Sequence, residues 1–63
     1  MKVIKVDNYN REGPGYDDKL VAENLTTKEA MELAKERNSD PTRPDFDWFK
    51  VVEDDYKLYE WAP

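Results

Sequence analysis

Phe46-Asp47-Trp48-Phe49-Lys50-Val51-Val52-Glu53-Asp54-Asp55-Tyr56-Lys57-Leu58-Tyr59-Glu60-Trp61 decides how this chain of 63 residues is read. Six of the eight aromatic residues fall in it, interleaved with Asp47, Glu53, Asp54, Asp55 and Glu60. Rings and β-branched residues on either side of an acidic break predict two strands, from Phe46 to about Glu53 and from Tyr56 to about Trp61. Asp54-Asp55 suits a type I-based turn better than the tight Asn-Gly kind, so a bulge or longer loop fits there. Alternation sends Phe46, Trp48 and Val52 to one side of the first strand and Phe49 and Val51 to the other. In the second strand Tyr56 and Leu58 oppose Lys57, Tyr59 and Trp61. Both faces of this hairpin are therefore apolar.

Upstream, Leu25-Thr26-Thr27-Lys28-Glu29 is the clearest local signal. Thr26 as N-cap and Glu29 three residues on make a capping box, and Leu25 can staple onto Ala30. The helix should run over 27–37, with Ala30, Met31, Leu33 and Ala34 inward and Lys28, Glu32, Lys35 and Glu36 in water. Asn38 is placed to end it in a left-handed conformation, and Pro41 and Pro44 keep the next loop extended. Lys2-Val3-Ile4-Lys5-Val6-Asp7 and Lys19-Leu20-Val21-Ala22-Glu23-Asn24 read as two further strands paired as a hairpin. Ile4 and Val6 share one face of the first, Val3 and Lys5 the other. Between them Gly13-Pro14-Gly15 has the composition of a type II turn, because only glycine takes φ > 0 cheaply at the third position. It is no phosphate loop: the third glycine is missing and Pro14 removes an amide donor. The expected fold is α+β: a single β-β-α-β-β domain over 1–63. It has two layers, one helix on a three- to four-stranded, mostly antiparallel sheet.

Composition excludes much chemistry. With no Cys and no His, there is no disulfide, no zinc site of the usual kind and no imidazole- or thiolate-based nucleophile. Ser39, the one serine, reads as a turn residue. Paired carboxylates suit glycoside hydrolysis only inside a sugar-sized cleft, which a one-helix domain does not enclose. Asp45-x-Asp47 and Glu53-Asp54-Asp55 are the oxygen-rich clusters, yet neither has EF-hand spacing; they read as solvated acids that keep a strand edge from pairing. The expectation is no catalysis, no cofactor and no metal. No apolar run exceeds three residues, so neither a signal peptide nor a membrane span is expected, and the chain reads as a small cytoplasmic product.

The net charge of −5 is uneven. Residues 1–39 hold eight acids and seven bases (8 − 7, net −1); residues 40–63 hold seven acids and three bases (7 − 3, net −4). An acidic surface repels nucleic-acid phosphate and attracts basic protein surfaces, which argues against direct DNA or RNA binding. One short helix can cover one face of the aromatic hairpin. The other face either packs under the 8–18 loop and the terminal tail, joins a homodimer, or stays exposed as a docking patch. The candidate partner-binding residues are Asp45, Phe46, Asp47, Trp48, Glu53, Asp54, Asp55, Tyr56, Tyr59, Glu60 and Trp61. The acids among them could stand in for phosphates facing a basic groove. The expected partner is a host protein with a basic surface, met by a monomer or a homodimer.

At Asp7-Asn8-Tyr9-Asn10-Arg11-Glu12, Leu20-Val21-Ala22-Glu23-Asn24-Leu25-Thr26 and Val51-Val52-Glu53-Asp54-Asp55-Tyr56-Lys57-Leu58-Tyr59, the chain resembles small acidic proteins of phages and other mobile elements. Many proteins of that size and charge are inhibitors of host defences, including anti-CRISPR and anti-restriction proteins. The resemblance implies a non-enzymatic inhibitor that blocks a basic nucleic-acid-binding site on a complex such as a CRISPR effector. It carries no binding residues over. Truncating the two tryptophans tests whether the rings are surface or core. If they are surface, Trp48→Ala and Trp61→Ala should each change unfolding free energy by under about 0.5 kcal/mol in a urea melt. A core ring should instead cost about 3 kcal/mol or more.

Overall fold

Residues 1–61 are described by a computed structural model. β1 (Lys2–Asp7) and β2 (Lys19–Ala22) are followed by α1 (Thr27–Asn38) and β3 (Asp47–Val52). The sheet order is β2-β1-β3 with both pairings antiparallel, so β1 is the central strand. Its β-branched run suits that place, because a central strand is packed on both faces. Register matches Val3 with Val51, Lys5 with Phe49 and Val6 with Trp48. On the β2 side a bulge between Val3 and Ile4 offsets the pairing.

The two faces of β1 are closed by different means. Val3 faces the helix and is buried against Ala30 and Ala34, with Met1, Val21, Leu25, Leu33, Phe49 and Val51 packed around them. Small alanines let the helix axis approach the sheet closely. The capping box forms as its spacing predicts: Glu29 N donates to Thr26 Oγ1 at 3.1 Å and Thr26 N donates to Glu29 Oε1 at 3.0 Å. Two details of the helix differ from expectation. Met31 is exposed, because the helix lies over β1 and β3 alone and Met31 points past that contact. Asn38 is not left-handed; the helix ends at Ser39 with φ −89°. The Asn38 side chain has another task, since Nδ2 donates to Phe49 O at 2.8 Å and Phe49 N donates to Oδ1 at 2.9 Å. Its amide thus copies the paired bonds of an adjoining strand.

That substitution corrects the expected fourth strand. Residues 56–61 carry no strand. β3 has two edges: one pairs with β1, and Asn38 and Arg43 occupy the other at Phe49 and Asp47. The turn itself falls where expected, with Tyr56 N donating to Glu53 O at 3.0 Å. The chain then crosses to the opposite side of the molecule, where Asp18 N donates to Tyr59 O at 2.9 Å and Tyr59 N donates to Asp18 Oδ2 at 2.8 Å. Gly13 N donates to the Tyr59 hydroxyl at 3.0 Å. Ile4 and Val52 lie on the face away from the helix and are buried all the same. The crossing segment, with Tyr56, Leu58 and Tyr59 half-buried, is what covers that face. The order among the described residues is therefore β-β-α-β plus an irregular C-terminal strap. The type II turn is present, with Gly15 at φ +90° and Tyr16 N donating to Gly13 O.

Asn38→Ala should cost about 1–3 kcal/mol, because it strands a partly buried donor and acceptor of Phe49. Ile4→Ala should cost about 2–5 kcal/mol by leaving a cavity under the strap. Both are read as shifts in urea midpoint at unchanged slope.

Candidate functional site

The aromatic and acidic residues of 45–61 separate into three groups. Tyr56 and Tyr59 belong to the strap. Tyr56 carries the Lys50 ammonium 5.3 Å from its ring centroid, and Tyr59 is fixed by three hydrogen bonds to Gly13 and Asp18. These two rings help to form the second core and offer only part of their area to a partner. Phe46 and Trp48 stand at the start of β3, 51% and 40% exposed. Trp61 is 42% exposed beside Glu12, Gly13 and Glu60. The rings thus split between core and surface, and the exposed ones lie in two places.

Trp48 is held, exposed as it is. The Arg43 guanidinium lies 5.4 Å from its ring centroid. Arg43 Nε donates to Asn38 O at 3.1 Å, and Nη1 donates to Asp47 O at 2.7 Å and Pro44 O at 3.4 Å. Three backbone carbonyls from the helix end, the loop and β3 thereby anchor the cation beneath the ring. Asn8 fixes the neighbouring turn, with N donating to Phe46 O at 2.8 Å and Nδ2 to Asp45 O at 3.0 Å. Asp40 shapes the start of this loop. Thr42 Oγ1 and N both donate to its carboxylate, which holds it below the ordinary carboxyl range. Arg43 and Asn8 were not singled out from the sequence. Arg43 sits between two prolines in a stretch that reads as plain loop, and a cation three residues before Phe46-Asp47-Trp48 signals nothing by spacing.

The acids also divide. Asp45, Glu53, Asp55 and Glu60 are exposed. Asp54 is exposed but bonded, with its carboxylate 2.7 Å from the Met1 amino group, which also donates to Leu25 O at 2.8 Å. Asp47 lies 3.8 Å from Lys5. No group of three or more His, Cys, Asp or Glu among the described residues is arranged to hold a metal ion, and no helix there is long and apolar enough to cross a membrane.

The tightest electrostatic unit lies outside all the candidates. Arg11 forks onto Asp7, with Nη2 2.6 Å from Oδ1 and Nε 3.1 Å from both oxygens. Its guanidinium also lies 4.4 Å from the Tyr16 ring centroid and 5.4 Å from that of Tyr9. Asp7 further accepts from Tyr9 N and Arg11 N. The bonds from the Arg11 side chain dominate in lowering the Asp7 carboxyl from 3.8 to about 2, and the same contacts raise Arg11. The asparagine at position 10 takes φ +54°, which lets the loop close over this pair. Bidentate Arg–Asp spacing at i, i+4 in a loop has no sequence signature, so only the fold discloses it.

The comparisons add no relative. No protein family, no curated protein and no solved structure matches the chain, so the site stands on its geometry alone.

The Asp7–Arg11 unit fixes a sign for pH. A carboxyl lowered on folding stabilises the fold above its ordinary value, and the contribution is lost as pH falls from 3.8 toward about 2. A carbon-detected NMR titration should give Asp7 a midpoint near 2, and Arg11→Gln should return it toward 3.8.

Proposed function

We propose that the chain is a non-enzymatic binding protein of the inhibitor kind. It occupies a basic, nucleic-acid-binding site on a host protein, such as a CRISPR effector, through an acidic aromatic surface. The observation that carries the reading is Trp48: its ring is 40% exposed yet fixed by a guanidinium that is itself bonded to three carbonyls. A surface aromatic held in place loses little freedom on docking, and tryptophan is enriched among residues that dominate interface energy. Phe46 widens the contact, and Asp45 supplies charge next to it. Glu53, Asp55 and Glu60 extend the acidic field that steers a basic partner. Asp54 contributes less, because the Met1 amino group neutralises it. Tyr56 and Tyr59 act chiefly by supporting the fold.

A second reading is self-association through the sheet. Its observation is Leu20, an exposed aliphatic on the edge strand β2. Sizing chromatography separates the two, since a stable dimer that dissociates on Leu20→Lys would favour the second.

For the leading reading, the test is displacement of nucleic acid from a basic effector by the purified chain. Trp48→Ala should weaken binding by roughly 30-fold, the equivalent of about 2 kcal/mol. Asp45→Asn with Asp55→Asn and Glu60→Gln should slow association and flatten its dependence on salt. Binding that is indifferent to both salt and Trp48 would dismiss this reading.

A further inference from the structure

The helix lies over β1 and β3, and of β2 only Val21 packs into the core beneath it, so the Lys19 end of that side of the sheet is left open. There a groove of about 330 Å³ is lined by Lys5 and Lys19 from the sheet, Tyr16 and Asp17 from the loop, and Phe46 and Asp47 from the start of β3. Lys5 and Lys19 are direct cross-strand partners, so two lysine side chains leave the same face of the sheet at neighbouring positions. Like charges placed opposite each other destabilise a sheet pair unless an anion lies between or beside them. The chain does not provide a good one. Asp47 is 3.8 Å from Lys5, a loose pair, and Lys19 has no carboxylate within 4 Å among the described residues. Asp7 and Arg11 also line the groove, but they are forked onto each other. Meanwhile Phe46 offers half of its ring to solvent from one wall and Tyr16 stands in the lining.

We infer that this groove binds a small ring-bearing anion, with the oxyanion taken by Lys19 and Lys5 and the flat ring lying against Phe46 and Tyr16. The volume is at the low end for ligand sites, which suits a molecule of one or two rings. A nucleoside monophosphate and a free aromatic carboxylate share that chemistry. The site goes beyond the docking reading: it rests on two lysines rather than on the acids of 45–61, and it needs no protein partner.

Proton–nitrogen NMR of the intact chain, titrated with adenosine monophosphate, with 4-hydroxybenzoate and with inorganic phosphate, tests it. The expected result is saturable shifts at Lys5, Tyr16, Lys19 and Phe46, with a dissociation constant on the order of 1 mM for at least one ring-bearing probe. Phosphate alone should bind at least about tenfold more weakly. Whichever ring-bearing probe saturates first identifies the source of the ligand. Lys19→Gln, on an exposed edge position, should weaken binding about tenfold, whereas Asp17→Asn should tighten it severalfold by removing a like charge from the lining. A merely structural change would not move affinity in opposite senses. The inference is overturned if no probe saturates by about 10 mM, if ring-free phosphate binds equally well, or if both variants titrate like the parent chain.

Discussion

β1 is a single six-residue strand that must be kept dry on both faces, and the rest of the structure answers to that demand. Val3 and Ile4 are adjacent and point to opposite sides, yet both are fully buried. A chain of this size has one helix to offer, which serves Val3. The cover for Ile4 must come from elsewhere, and the strap, with Tyr56, Leu58 and Tyr59 half-buried, lies on that side: Lys50, the register partner of Ile4, has its ammonium against the Tyr56 ring. Burying both residues matters because small domains bury a low fraction of their surface and have little stability in reserve. Here no disulfide or zinc site supplements the core.

Strand pairing follows from the same economy of parts. A fourth strand would need a free edge, and the edge of β3 is already satisfied by one side-chain amide and one guanidinium. Asn38 ends α1 and Arg43 lies in the loop that follows, so the short connection into β3 holds both beside that edge. With backbone groups paired locally, the strap gains more by crossing to Asp18 and Gly13 and spreading Tyr56, Leu58 and Tyr59 over the open face. Its hydrogen bonds are few, half of them involve a side chain and none repeats as a ladder, so it is irregular rather than a strand.

Those facts mark how far the sequence could be read. Capping, turn chemistry and alternation are local, and they placed α1, the Gly13-Pro14-Gly15 turn, the faces of β1 and β3, and the Glu53–Tyr56 turn. The α+β class and the β1–β2 hairpin followed from them. The fourth strand failed because its pattern of rings is equally that of a strap: periodicity says which residues want cover, not which backbone they will pair with. Met31 failed for a related reason, since apolar spacing marks a helix face but not how much of it the sheet can reach. On the candidate site, the ring area was legible as more than one helix can cover, but not which rings stay exposed (Phe46, Trp48 and Trp61) and which are half-buried (Tyr56 and Tyr59). The clamps on Trp48 and on Asp7 were not, because Arg43 and Arg11 act through backbone carbonyls and loop closure.

The distribution of ion pairs bears on what the surface is for. Fifteen acids and ten bases make three close pairs among the described residues, and one of those uses the Met1 amino group. Asp47 meets Lys5 at 3.8 Å, whereas Arg43, two residues before Asp45, bonds to carbonyls. Asp45 beside Phe46 and Glu60 beside Trp61 make no ion pair among the described residues, and uncancelled like charges work against a compact fold. A chain selected only for stability would relieve that repulsion by a single Lys at position 45 or 55, where the side chains are solvated and nothing in the packing forbids it. On the proposed binding reading, carboxylates kept beside a fixed, half-exposed tryptophan act outside the monomer, on the cationic surface that the ring would meet.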